Sequence, residues 1–223
     1  PRPPPKPAGW PQLPGGPAAI HLLGSPGSGG EFVPACADGG GDDADDFDRW
    51  CAAGTPCAVT DWHVDEPWDA APARFTVLWA AATEGNIETR FASTAVWDRL
   101  DGADRAVLAT AVGTFVPPPW LPQEGAASAR HALRRATPAG DAVYVCADSL
   151  AAVDGLERRD ALALGWRATR LCVERAAAHA WRPKDLLIVD NHQMLHKRVP
   201  YDHAAQGRLL YRLRVDAGPG LDC

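Results

Sequence analysis

The segment Thr60-Asp-Trp-His-Val-Asp-Glu-Pro-Trp68 sets a histidine and an aspartate two positions apart between tryptophans. In extended backbone, alternate side chains leave the same face, so His63 and Asp65 project together, about 6–7 Å apart, while Val64 points away. An imidazole and a carboxylate placed this way can reach one cation. The same pair can also be no more than a hydrogen-bonded couple on a partly exposed face, so the spacing needs a third residue before it means chemistry.

His196 is that residue. It stands after the apolar run Leu186-Leu-Ile-Val-Asp190 and a polar turn, about 130 positions beyond the first pair. Two neutral imidazoles and one carboxylate on one face of a metal leave its other positions open, which is the ligand set of non-haem Fe(II) oxygenases. His192, in the same turn, competes for the third place. The residues downstream favour His196, because Arg208 lies 12 positions later and Arg212 lies 16 later on one face of the last strand. A guanidinium fork binds a carboxylate bidentately where a lysine offers a point charge, so the spacing suggests a dicarboxylate co-substrate. An ordinary solvated strand face is the competing account of Arg208, Arg212 and Arg214.

The elements that must position these residues are mostly strands. Residues 75–81 (FTVLWAA) are apolar on both alternating faces, as a strand inside a sandwich would be. Residues 141–147 and 186–190 also suit strands, the latter short and buried. Residues 208–215 alternate so that Arg208, Leu210, Arg212 and Arg214 face one way and Leu209, Tyr211, Leu213 and Val215 the other. Helical turns are expected over 93–100 and 104–111, and an amphipathic helix over 159–180, closed before Pro183 and covering one sheet. Residues 1–45 are rich in Pro and Gly and suit loop; a short helix is expected over 42–54, with Phe47, Trp50 and Cys51 on one side. The remainder, 46–223, is long enough for one domain with one core.

Composition narrows the partners. Lys and Arg number 22 against 28 Asp and Glu, a net charge of −6, which disfavours nucleic acid and anionic membranes. No apolar run approaches a membrane span and no basic-then-apolar leader pattern is present; the chain begins without Met, as a processed or trimmed chain does. Six cysteines without a CxxC pair fit reduced thiols in a cytoplasm better than a zinc ribbon or a disulfide framework.

At WHVDE, EGNIETRFASTAVW, KDLLIVDNHQMLHKRVPY and GRLLYR the chain resembles the taurine dioxygenase and clavaminate synthase-like family of Fe(II)- and 2-oxoglutarate-dependent oxygenases, over roughly residues 58–215. The resemblance implies a mainly β fold with flanking helices, a double-stranded β-helix or cupin-like jelly-roll. It implies His63, Asp65 and His196 as iron ligands, Arg208 and Thr89 as holders of 2-oxoglutarate, and Arg212 as a residue reaching an anionic group of the primary substrate. Asn191 is then a supporting or turn residue. The implied reaction consumes O2, converts 2-oxoglutarate to succinate and oxidises a C–H bond of a small molecule, an amino acid or natural-product intermediate by family habit; a retained Asp65 argues against chlorination. The sequence departs from the family pattern at GlyAsnIleGlu (85–88), at Lys197, and at Lys184, where a turn glycine commonly sits. The pocket is expected among residues 67–73, 112–140 and 197–206, where Trp68 and Trp120 are candidate walls and Arg130, Arg134 and Arg135 are either anion contacts or a solvated helix face. A cupin-like hydrolase or isomerase using the same triad would leave Thr89 and Arg208 without a role, and the intact triad with both arginines weighs against a silent binding protein of the oxygenase fold.

Overall fold

The protein was analysed as a computed structural model, which describes residues 20–23, 62–117, 128–137, 140–147, 149–199 and 206–216. In chain order the strands are β1 (Ile20–Leu23), β2 (Phe75–Glu84), β3 (Glu88–Ser93), β4 (Val112–Phe115), β5 (Ala129–Ala132), β6 (Arg134–Thr137), β7 (Gly140–Val143), β8 (Leu150–Val153), β9 (Ala177–Ala180), β10 (Leu186–Asp190), β11 (Met194–Arg198) and β12 (Gly207–Val215). Helix α1 (Gly102–Leu108) comes after a short 3-10 turn at Trp97–Arg99, and α2 is Arg158–Val173.

Among the described residues every strand pair is antiparallel. The large sheet runs β1-β12-β2-β10, and a second runs β11-β3-β9. Between them Leu78, Ala80, Ile87, Trp181, Val189 and Leu210 form one buried cluster, so the two sheets share an inner layer as a sandwich does. A larger cluster joins Phe115, Val143, Tyr144 and Leu150 to Leu164 and Cys172 of α2. The helices are tied together by Arg167, whose Nε and Nη2 donate to the two carboxylate oxygens of Asp104 at 2.8 and 2.6 Å. Asp104 in turn sits at the α1 N-terminus, where its backbone N–H is capped by Asp101 at 2.8 Å.

On β12 the alternation holds but its sense is inverted. Arg208, Leu210 and Arg212 are buried, and the apolar Leu213 of the opposite set is 36% exposed. The arginines therefore face the inner layer, which removes the solvated-face account for Arg208 and Arg212. The neighbouring strands agree: Thr76, Leu78 and Ala80 of β2 point inward while Trp79 is half-exposed, and on β10 only Val189 is buried, with Leu186 and Ile188 exposed. Neither strand is apolar because it is enclosed on both sides. Their outward residues line up across the sheet instead, with Tyr211, Trp79 and Leu186 in one register row and Leu213, Val77 and Ile188 in the next.

Other sequence expectations also change. The helix stops at Val173, and Ala177–Ala180 is a strand paired with β3; alanine-rich sequence favours helix locally, but the edge of β3 and the Trp181 anchor outweigh a propensity of a few tenths of a kcal/mol per residue. Residues 112–140 contain β4, β5 and β6 and are not simply loop, and Ile20–Leu23, inside the segment read as loop, pairs with β12. The helix expected over 42–54 lies outside the described residues, as does most of 1–45. Lys184 does adopt the positive φ, 76°, that its glycine-like position suggested.

Phe115 anchors the larger cluster, since it is fully buried and packs edge-on against Tyr144 and beside His131. Phe115→Ala is expected to lower stability by about 3–5 kcal/mol, read as a fall in the urea midpoint at unchanged slope.

Candidate metal centre

The segment carrying His63 and Asp65 is not a continuous strand. His63 forms a single antiparallel bridge with His196, its N–H donating to the His196 carbonyl at 3.0 Å and the His196 N–H returning to the His63 carbonyl at 2.8 Å. Asp65 sits in a bend, and Glu66, at φ 52°, with Pro67 after it, ends any extension. The bridge suffices: it sets the two imidazoles side by side, ring centroids 4.3 Å apart, and the bend turns Asp65 towards both. Its Oδ1 lies 3.9 Å from His63 Nε2 and 3.7 Å from His196 Nε2, and one ligand atom from each of the three lies within 4.8 Å of the others. Two metal–ligand bonds of about 2.0–2.2 Å end to end span nearly that distance, so the donor set fits one ion after a small contraction. Asp65 and His196 are buried while His63 is partly exposed, which leaves one side approachable.

Asp65 is held at each of its polar atoms. Thr76, on the inward face of β2, donates to Oδ2 at 2.6 Å. Asn191 accepts the Asp65 N–H at 2.6 Å and donates to the carbonyls of Asp65 and Ala73, both at 3.0 Å. Arg212 Nη1 donates to Oδ1 at 2.8 Å, and its Nη2 reaches Glu66 at 3.2 Å. Burial works to raise the Asp65 carboxyl, but the Arg212 guanidinium, then His196 and His63, hold it well below the usual carboxylate range. Glu66, shared by Arg212 and Arg214, is buried enough that its carboxyl is raised despite both cations. Arg212, expected to meet a substrate anion, thus spends its charge on two carboxylates of the His63–Glu66 segment.

Thr89 and Arg208 come together as the resemblance implied. Arg208 Nη1 donates to Thr89 Oγ1 at 3.0 Å, and Trp181 Nε1 donates to the same oxygen at 2.8 Å. With both lone pairs taken, the hydroxyl proton has no acceptor among the described residues. On β3 Thr89 is two residues from Phe91, whose register partner on β11 is His196, so Thr89 and His196 share one face of the small sheet.

The other candidates separate cleanly. His192 lies outside the triad: Arg74 reaches its Nδ1 at 3.4 Å and its Nε2 meets the Pro72 carbonyl at 3.3 Å. Trp68 is half-buried in the turn after Glu66, and Trp120 lies outside the described residues. Arg130 and Arg134 are on strands rather than a helix and pair with Asp154 and Asp141 at 2.5 and 2.7 Å. Sequence reasoning missed Thr76, though a threonine on the inward alternation of an apolar strand is a visible signal; Trp181 carries no such mark.

Asn191→Ala is expected to leave the Asp65 N–H and two carbonyls unpaired and to weaken metal binding about 10–100-fold, measured by Fe(II) or Mn(II) titration of folded protein. For His192, burial first and Arg135 next push the pKa down from 6.5 to about 4. The unfolded chain therefore takes up this proton first, so stability is lost as pH falls from about 6.5 to 4. His192→Gln should flatten that part of a melting-temperature profile and leave the region above pH 7 unchanged.

The family described as taurine catabolism dioxygenase TauD, TfdA matches residues 41–214. Among solved structures, AAD-2 in complex with Mn(II) and N-oxalylglycine is 21% identical with a TM-score of 0.63, over 73% of this chain and 65% of that one. A taurine dioxygenase from Burkholderia xenovorans is 22% identical with a TM-score of 0.60, over 71% of this chain and 57% of its own. The chain thus spans somewhat under two thirds of the length of these relatives, whose likeness establishes the double-stranded β-helix fold. No curated protein sequence matches. By the extent of the family match, which covers most of its length, this chain belongs to the TauD/TfdA dioxygenase family.

Proposed function

We propose that this chain is an Fe(II)- and 2-oxoglutarate-dependent oxygenase that oxidises a C–H bond of a small molecule. The observation that carries the reading is the pairing of two separate constellations: a His–Asp–His donor set, and a buried Arg208–Thr89 couple on the facing sheets beside it. A triad alone would serve a hydrolase equally well; the second constellation asks for an acidic cosubstrate.

His63, Asp65 and His196 would hold the iron, and the pair of iron and 2-oxoglutarate, with O2, supplies oxidative decarboxylation to succinate and the oxidising power for the C–H bond. The protein's own residues do the rest. Arg208 offers a fork to the far carboxylate, and Thr89 offers its remaining proton to the same group while Trp181 fixes the hydroxyl. Asp65 stays ionised through Arg212, so the anionic ligand is ready at neutral pH. Thr76 and Asn191 keep its carboxylate and backbone from turning away. Trp68, half-buried beside this segment, is a candidate wall for the primary substrate.

Anaerobic addition of Fe(II) and then 2-oxoglutarate should produce the weak visible charge-transfer band of the chelate. His196→Ala should lose the band, and Arg208→Gln should keep it but demand about 10–100-fold more 2-oxoglutarate, the loss expected for a hydrogen-bonded ion pair. A folded wild-type protein with no band, or an Arg208→Gln variant with unchanged demand, would overturn the assignment.

A further inference from the structure

The passage from β9 into β10 carries a histidine that neither the donor set nor the Arg208–Thr89 couple includes. His179 is the register partner of Thr89 across β3 and β9, so the two side chains leave one face of the small sheet. Trp181, two positions on, shares that face, and its Nε1 donates to the Thr89 hydroxyl at 2.8 Å. The His179 ring stands perpendicular to the Trp181 ring, at 89° with centroids 4.8 Å apart. Its Nε2 lies 3.0 Å from Asp185 Oδ2. An ionised carboxylate only accepts, so this nitrogen carries a proton and donates it.

Asp185 is itself fixed in the turn. The same Oδ2 accepts the Arg182 N–H at 2.9 Å, the Asp185 N–H donates to the Arg182 carbonyl at 3.1 Å, and the Asp185 carbonyl takes the Ala80 N–H of β2 at 2.8 Å. His179 is therefore tied through Asp185 to the large sheet, while its register partner belongs to the small one. The Trp181 indole is 4% exposed and packs with Leu78, Ile87 and Leu210, but apolar contacts are non-directional. They bury the ring without choosing where its N–H points. A perpendicular ring anchored to a carboxylate does choose. The direction matters because the Thr89 hydroxyl has one proton and two lone pairs. With Arg208 and Trp181 on the lone pairs, the proton has one way left to point; an indole that swings aside opens a lone pair and lets the hydroxyl turn.

We infer that His179, anchored by Asp185, is a positioning residue for the acidic cosubstrate: it sets the Trp181 N–H on Thr89, and so the donor that the far carboxylate of 2-oxoglutarate meets. This rests on the reading of Arg208 and Thr89 as holders of 2-oxoglutarate. His179 acts through Trp181 and Thr89 rather than by touching the cosubstrate, so its loss is felt at the far carboxylate and not at the keto acid end.

The test begins without metal. In protein isotope-labelled at the tryptophan indole nitrogens, the Trp181 N–H resonance is identified by its loss in Trp181→Phe, and His179→Leu should shift it and speed its exchange with solvent. Anaerobic titration of iron-loaded protein then compares 2-oxoglutarate with 2-oxobutyrate, which keeps the keto acid and lacks the far carboxylate. His179→Leu should raise the 2-oxoglutarate midpoint of the charge-transfer band about two- to tenfold, the range of a perpendicular ring pair, and leave the 2-oxobutyrate and Fe(II) midpoints unchanged. Combined with Trp181→Phe it should weaken 2-oxoglutarate no further, since both act on one hydroxyl. His179→Gln, a milder change that keeps a donor for Asp185 and removes the ring, should show the same selective loss. An unmoved indole resonance or an unmoved 2-oxoglutarate midpoint in both His179 variants, equal weakening of the two keto acids, or a loss that adds fully to that of Trp181→Phe would overturn the inference. A wild type that shows no band, yet whose Trp181 N–H responds to His179→Leu, would instead sink the oxygenase reading and leave the positioning of Trp181 standing.

Discussion

Everything about this centre depends on keeping one carboxylate ionised in a place that water does not reach. Asp65 is 5% exposed, and an isolated carboxylate so buried would take up a proton rather than bear the desolvation cost. Arg212 prevents this from 2.8 Å away. Arg212 is itself buried, so the pair is stable only because further bonds complete both ends: Thr76 and Asn191 on Asp65, Glu66 on Arg212, and Arg214 on Glu66. Breaking one member of such a chain strands a buried charge, which is why the network holds its geometry although a buried ion pair in itself gives little net stability.

That network explains the inverted face of β12. A strand with arginine at three of four alternate positions would ordinarily turn those residues to solvent. Here each inward arginine has a buried acceptor: Arg208 meets Thr89 and Arg212 meets Asp65. Leu210, between them, fills the layer with Leu78 and Ala80. The cost appears on the outside, where Leu213, Ile188, Leu186 and Trp79 are left in contact with solvent. The sheet orients itself by where its charges are satisfied, and the apolar residues accept the remaining face.

The same physics marks what the sequence could and could not disclose. The triad and the Thr89–Arg208 couple were legible because metal and carboxylate chemistry require particular residue types, and those types stand in short, recognisable motifs. The polarity of β12 was legible as an alternation but not as a direction, since alternation is symmetric between inside and outside until the partners of Arg208 and Arg212 are known. Ala177–Ala180 was illegible for a different reason: its strand state comes from pairing with Glu88–Phe91, nearly ninety positions earlier, and no local pattern records a partner. The bend at Asp65–Glu66 escaped because HxD looks extended, although Pro67 stood beside it.

Arg135 shows how the two kinds of information combine. In sequence it is one of three arginines within six positions, none distinguishable from the others. Folding sorts them, since Asp154 and Asp141 neutralise Arg130 and Arg134 at the surface, while the hairpin register lays Arg135 on Tyr144, away from any carboxylate partner among the described residues. Arg212, the arginine expected to reach a substrate anion, is sorted towards the buried carboxylates of Asp65 and Glu66. A sequence displays its charges, but only the fold shows which are answered: Arg130 and Arg134 by surface carboxylates, Arg212 by the buried Asp65 and Glu66.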